Sequence, residues 1–282
     1  MFFFRTALVT FSLALSGLLG AHGQTAKPLA DAAPLVIGQT FTIESRVLGE
    51  TRRINVYLPP AYSDSTTLRL PVLYMPDGGL AEDFQHVAGL EQVLVGNGTM
   101  RPFILVGIEN TQRRRDLTGP TTNAEDREIA PRVGGSAAFR QFIREELMPQ
   151  VKQRYRTTAE TAIAGESLAG LFVVETLLLE PALFDTYLAF DPSLWWNNKQ
   201  LVVQAGTLLQ APGRQPKTLY LATSNEPHIV ADTRRFVKAL GPVKGMSWYY
   251  EPMPQETHGT IYHPAALKAF RTVFKLPPAV KK

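Results

Sequence analysis

The chain has 282 residues, 45% hydrophobic and 19% charged, proportions that fit a folded globular protein and exclude a disordered or fibrous one. It contains no cysteine, which excludes disulfides, thiol catalysis and cysteine-ligated metal. A net charge of +4 is too small and too dispersed for a nucleic-acid-binding surface and leaves only a mild bias toward anionic ligands.

Residues 1–23 differ from the rest. Arg5 is their only charge, residues 7–19 are an apolar run, and Ala21-His22-Gly23 offers small residues at the two positions a signal peptidase reads. The run is shorter than the roughly 20 residues that span a bilayer, so the segment predicts export to the periplasm or medium with cleavage near Gln24, without stable membrane insertion. Residues 24–36, rich in alanine and proline, read as a flexible lead-in, and residues 37–282 as one domain.

Residues 41–47 and 51–58 alternate apolar and polar around Leu48-Gly49-Glu50, which predicts an antiparallel hairpin. Residues 70–75 and 103–108 are near-continuous apolar runs of strand length, the pattern of strands covered on both faces. Residues 161–164, 186–190, 218–222 and 247–250 continue the series. Residues 111–135 are polar and strand-free, and a loop of that length in a compact domain borders a site. Ser136 opens a helical pattern through Phe139, Phe142, Ile143, Leu147 and Val151, in which Pro149 predicts a kink or break because it lacks a donor. The last two helices are expected over residues 230–240 and 264–274. The whole reads as an α/β sandwich with a mainly parallel central sheet and an antiparallel N-terminal hairpin.

The chemistry centres on Ala164-Gly165-Glu166-Ser167-Leu168-Ala169-Gly170. Strand residues precede it, and Leu171, Phe172, Leu178 and Leu179 give a helical rhythm after it. This is the form of a nucleophile elbow, in which the serine sits on a strained turn and its flanks must be small. Ala169 stands where glycine is usual. A serine hydroxyl needs a base within hydrogen-bond reach. Of five histidines, His258 lies on the loop after the last strand, where the chain order serine, acid, histidine puts the base. The acid is expected after the preceding strand, with Glu226 the first choice and Asp232 and Asp191 as alternatives. Backbone N–H groups of Leu168 and of the Gly78-Gly79 loop are the expected oxyanion donors. No phosphate loop, dinucleotide fingerprint or zinc motif is present, so neither cofactor nor metal is expected.

Four segments carry a family resemblance: Pro71-Val72-Leu73-Tyr74 through Asp77-Gly78; Val106-Gly107-Ile108 through Arg113-Arg114-Arg115-Asp116-Leu117-Thr118; the elbow with Gly170-Leu171-Phe172; and Pro192-Ser193-Leu194-Trp195-Trp196. Together they make the chain resemble the esterase D-like family of α/β-hydrolases, and within it the ferric-siderophore esterases. The resemblance implies a serine esterase acting on a small-molecule or glycan ester, with Ser167 as nucleophile and His258 as base. It also implies that Arg113, Arg115, Trp195 and Trp196 border the substrate. Guanidinium groups suit anionic catecholate or carboxylate ligands, and indoles suit flat aromatic ones. Relatives commonly carry serine where this chain has Asp191.

Overall fold

The computed structural model describes residues 33–210, 216–241 and 245–276. The expected leader, its cleavage point and all but the end of the lead-in lie outside these residues. Contacts divide the chain into residues 1–36 and 37–282, and every element below belongs to the second unit.

Eight strands, β1 (Gln39–Ser45), β2 (Glu50–Tyr57), β3 (Leu70–Pro76), β4 (Ile104–Ile108), β5 (Thr157–Glu166), β6 (Thr186–Phe190), β7 (Lys217–Thr223) and β8 (Met246–Pro252), form one sheet in the order β1-β2-β4-β3-β5-β6-β7-β8. β1 to β2 and β2 to β4 are antiparallel, and every pairing from β4 to β8 is parallel. This is the predicted mainly parallel α/β sheet with an antiparallel N-terminal hairpin. The hairpin turns at Gly49, whose φ of 67° favours glycine and whose N–H donates to the Ser45 carbonyl at 2.9 Å.

The strands alternate their side chains between two apolar layers. Val72, Tyr74, Val106, Ile163, Tyr187 and Leu219 face one layer, and Leu73, Met75, Leu105, Ala162, Leu188 and Tyr220 face the other. That explains the near-continuous apolar runs, since both faces are covered. Among the described residues ten α-helices precede, link or follow the strands: α1 (Pro60–Ser63), α2 (Phe84–Gly96), α3 (Arg113–Asp116), α4 (Ala124–Glu128), α5 (Ser136–Phe142), α6 (Met148–Arg154), α7 (Leu168–Leu179), α8 (Trp196–Leu209), α9 (Pro227–Leu240) and α10 (Tyr262–Val273). α2 and α10 cover one face; α5 to α9 supply the other layer. α7 is buried all round from Leu168 to Leu178, which is why it carries no amphipathic stripe.

Three local expectations are refined. Pro149 does not break the helix, but the regular α-helix is interrupted just before it. Helical backbone runs from Ser136 to Arg154, and the five residues Ile143–Leu147 just before it form a wider π-turn that absorbs the missing donor. β5 begins at Thr157 rather than Thr161, because Thr157 already pairs with Leu70 before a bulge resets the register at Val72 and Thr161. The last two helices start earlier than their apolar patterns did, at Pro227 and Tyr262.

Within the α2 layer, Glu91 is fully buried and accepts the Phe103 N–H at 3.0 Å through Oε1, while Oε2 has no partner. Burial pushes its carboxyl up to about 8, against the hydrogen bond from Phe103. The folded protein therefore holds a proton on Glu91 that the unfolded chain releases above pH 4.5. Stability falls as pH rises from 4.5 to about 8 and is flat with respect to this group above that. Glu91→Gln keeps the shape and the acceptor without the charge. Its stability relative to wild type is expected to rise by on the order of 3 kcal/mol between pH 5 and pH 8. Urea midpoints at the two pH values check this, and a constant offset would refute it.

Candidate active site

Ser167 joins β5 to α7 with φ 60° and ψ −119°, a conformation that non-glycine residues rarely adopt. The turn is over-determined by its neighbours. The Ser167 N–H donates to the Phe190 carbonyl at 3.0 Å, and the Ser167 carbonyl accepts from Leu171 N–H at 2.9 Å and Ser193 N–H at 3.1 Å. A Cβ on Gly165 would stand 2.7 Å from Cβ of Ala169, and one on Gly170 would stand 3.0 Å from the Phe190 carbonyl. The unusual alanine thus fits because Gly165 opposite it has no side chain.

The loop after β8 folds back over the ends of β6 and β7. Met253 N–H donates to the Thr223 carbonyl at 2.7 Å, and Asn225 N–H to the Glu256 carbonyl at 2.9 Å. These bonds set His258 beside the elbow, with Nε2 at 3.0 Å from Ser167 Oγ. On the other side of the ring, Nδ1 lies 2.7 Å from Oδ2 of Asp191. Asp191 follows directly on β6, is fully buried, and accepts from Ser224 N–H and Ser224 Oγ–H at 2.7 Å each. Burial pushes the Asp191 carboxyl up, but the hydrogen bonds from His258 and Ser224 outweigh it and hold it below the usual range. The hydrogen bond to Asp191 raises His258; burial opposes this, and the Glu166 carboxyl adds to the rise.

The first choice of acid is corrected. Glu226 makes no hydrogen bond or ion pair to His258; it precedes α9, with its N–H on Ser224 Oγ at 3.2 Å, and reaches the ring only through its charge. Asp232 is buried within α9 and meets Lys199 Nζ at 2.9 Å. The carboxylate that meets His258 is that of Asp191, because β6 and β7 are adjacent strands and their exits lie side by side under the same loop.

Gly78 is also corrected. Its N–H donates to the Ile108 carbonyl at 3.0 Å, and a Cβ there would stand 2.3 Å from Gly107, so the glycine serves close packing of the β3 and β4 ends. Gly79 N–H donates to Glu82 Oε2 at 2.7 Å. Leu168 is the first residue of α7, so its N–H has no intrahelical acceptor and stands next to Ser167.

Of the implied substrate residues, Arg113 pairs with Asp77 through both carboxylate oxygens, at 2.6 and 2.8 Å, and its charge is felt by Glu166. Arg115 does not join this group. It is engaged by Glu50 at 2.7 Å and Asp116 at 2.6 Å. Trp195 is half-buried. Trp196 is buried, with its indole N–H on the Gly119 carbonyl at 2.8 Å, so it ties the 111–135 loop to the segment after β6. A cleft of about 360 Å³ beside Arg113 is lined also by Arg114, Arg115 and Arg132.

Sequence reasoning missed Glu166. Its Oε1 lies 3.4 Å from His258 Nε2, is buried and has no hydrogen-bond partner. Burial pushes this carboxyl up to about 7, against the charges of His258 and Arg113. The available signal was an acidic residue just before the serine, directly after the small and apolar run of residues 162–165. Among the described residues, ligand atoms of Glu166, Asp191 and His258 fall within 4.8 Å of one another, a spacing a cation could bridge. Both ring nitrogens of His258 are already engaged, by Asp191 and Ser167.

The sheet order and the elbow place the chain in the α/β-hydrolase class. It belongs to the family described as "Putative esterase", whose model matches residues 45–232. The chain is 29% identical over 195 residues to the ferri-bacillibactin esterase BesA of Bacillus subtilis, covering 61% of this chain and 65% of that protein. It is 30% identical over 190 residues to the siderophore triacetylfusarinine C esterase of Aspergillus fumigatus, covering 63% of each. The matches thus span just under two thirds of those relatives. Among solved structures, an IroE-like serine hydrolase from Shewanella oneidensis superposes with a TM-score of 0.76 at 30% identity, over 84% of this chain and 80% of that one. The siderophore hydrolase EstB from Aspergillus nidulans shares the fold at 20% identity and a TM-score of 0.75, over 90% of this chain and all of the other.

Proposed function

We infer that the protein is a serine hydrolase that cleaves carboxylic esters through an acyl-enzyme. The observation that carries this reading is the chain of contacts from Ser167 Oγ through His258 to Asp191, at 3.0 and 2.7 Å, on a strained elbow. Ser167 attacks the ester carbonyl and its proton passes to His258 Nε2. Asp191 holds Nδ1 protonated, so that Nε2 is free to accept. The Leu168 N–H at the start of α7 stabilises the developing oxyanion. His258 then gives its proton to the departing alkoxide, and water repeats the sequence to release the acid.

The substrate class is an iron-chelate ester of the siderophore type. The relatives named for such esters support it, and of the arginines in the cleft beside Arg113 those outside the Asp77 and Glu50 pairs, Arg114 and Arg132, are the candidates to meet catecholate or carboxylate groups. A fluorophosphonate probe is expected to label the protein once, on the peptide that holds Ser167. An unlabelled protein would instead be a silent binding homologue. Incubation with ferric siderophores, feruloylated xylan fragments and short acyl esters, followed by mass spectrometry, separates the substrate classes; hydrolysis of the xylan fragments alone would overturn the siderophore reading.

Export belongs to the same proposal. Among the described residues no helix is long and apolar enough to cross a membrane. Protein recovered from the periplasm or medium of an expressing bacterium is expected to begin near Gln24, and an intact Met1 on protein retained in the cytoplasm would refute the leader.

A further inference from the structure

We propose that Glu166 is a positioning residue, a second carboxylate on His258 whose charge, on the Nε2 side opposite Asp191, holds the imidazolium that forms when Ser167 gives up its proton. This rests on the reading of Ser167 as nucleophile and deepens it. Three observations support it. Glu166 Oε1 lies 3.4 Å from Nε2, close behind the 3.0 Å contact of Ser167 Oγ. That oxygen is buried with no hydrogen bond, so no neighbouring group engages it structurally. The residue immediately before the serine is fixed by the same elbow, so its carboxyl and the serine hydroxyl address one nitrogen from adjacent positions.

The proton balance is closed. The proton that leaves Ser167 Oγ moves to Nε2 and from there to the departing oxygen; Glu166 is not on that path and acts as the carboxylate it becomes above about pH 7, the value to which burial pushes it. Its part is electrostatic, and at about 4 Å in a partly buried site such an interaction is large enough to move the equilibrium by an order of magnitude or more. Other groups face the pair from each surrounding element: Arg113 of α3, Asp77 after β3, Asp191 after β6, and the buried hydroxyl of Tyr262 of α10. The charge of Glu226 also acts on the ring, and that of Asp83 acts on Tyr262. Arg113 is already neutralised by Asp77, which leaves His258 as the cation Glu166 meets at closest range.

The test reads the ring directly. His258 in the full chain is titrated by proton–carbon NMR in wild type, Glu166→Gln and Glu166→Ala, and the acid limb of fluorophosphonate labelling is followed in the same proteins. Removal of the carboxylate is expected to lower the His258 midpoint by about one pH unit, to move the labelling limb down with it, and to slow labelling on the plateau about tenfold. A residue that only filled space would leave the midpoint where it was. If either folded variant titrates within about 0.3 pH unit of wild type, the proposal is overturned. Wild type that fails to label while its ring still responds to the substitutions would sink the nucleophile reading and leave the Glu166–His258 pairing standing.

Discussion

Replacing Ser167 with alanine is expected to lower kcat for a nitrophenyl ester by about six orders of magnitude while leaving the fold intact. The size follows from how the group works. A serine and its histidine act as a unit, so removing the attacking oxygen removes the acyl-enzyme route as a whole, and what remains is the weak contribution of binding and backbone donors. The fold is expected to survive because, among the described residues, the Ser167 hydroxyl hydrogen-bonds only to His258, and the elbow is held by backbone bonds to Phe190, Leu171 and Ser193 that alanine retains. Alanine and serine bear the positive φ at similar cost, so thermal melting by circular dichroism is expected within a few degrees of wild type. Activity above about one per cent of wild type in a preparation free of host esterase would show that another residue attacks.

The sheet was legible because burial on both faces writes itself into the sequence. β3 and β4, and β6 after Thr186, carry no charged or strongly polar residue, and every residue of these strands is buried. β5 was half legible: Thr158 and Glu160 are partly exposed before the strand reaches the covered middle of the sheet, so its first residues carry no apolar signal. The elbow was readable from small residues at fixed spacing, and His258 from its place after the last strand. The acid was not, because chain order ranks β7 after β6 while the sheet sets them side by side, and only pairing tells which exit reaches the loop. Asp191 also sits at a φ of 45°, a turn that aims its carboxyl, and a single aspartate in sequence does not reveal it. Gly78 failed for a related reason. A Gly-Gly pair after a strand announces close approach of backbone, but not whether the partner is a ligand or, as here, the β4 strand.

The correction of the acid yields the second large effect. Asp191→Asn is expected to lower kcat by about four orders of magnitude, whereas Glu226→Gln is expected to stay within about threefold of wild type. The argument turns on hydrogen-bond direction. Asp191 accepts from three donors at once: Ser224 N–H, Ser224 Oγ–H and His258 Nδ1–H, each at 2.7 Å. Asparagine has one acceptor oxygen. If the Ser224 N–H keeps it, the amide nitrogen must face His258 Nδ1 and donate to it, which forces the ring into the tautomer protonated on Nε2. Nε2 then donates toward Ser167 instead of accepting from it, and the hydroxyl loses its base. The imidazolium of the transition state loses its buried counter-charge as well. The same substitution is expected to lower the His258 midpoint, because the hydrogen bond to Asp191 is the main cause of its rise. Glu226 enters that balance only as a charge at the start of α9, the last of the contributions to the ring and without a hydrogen bond to it, so its amide changes little. Steady-state kinetics on the two variants decide between them, and an activity loss in Glu226→Gln exceeding that in Asp191→Asn would return the acid to the β7 exit.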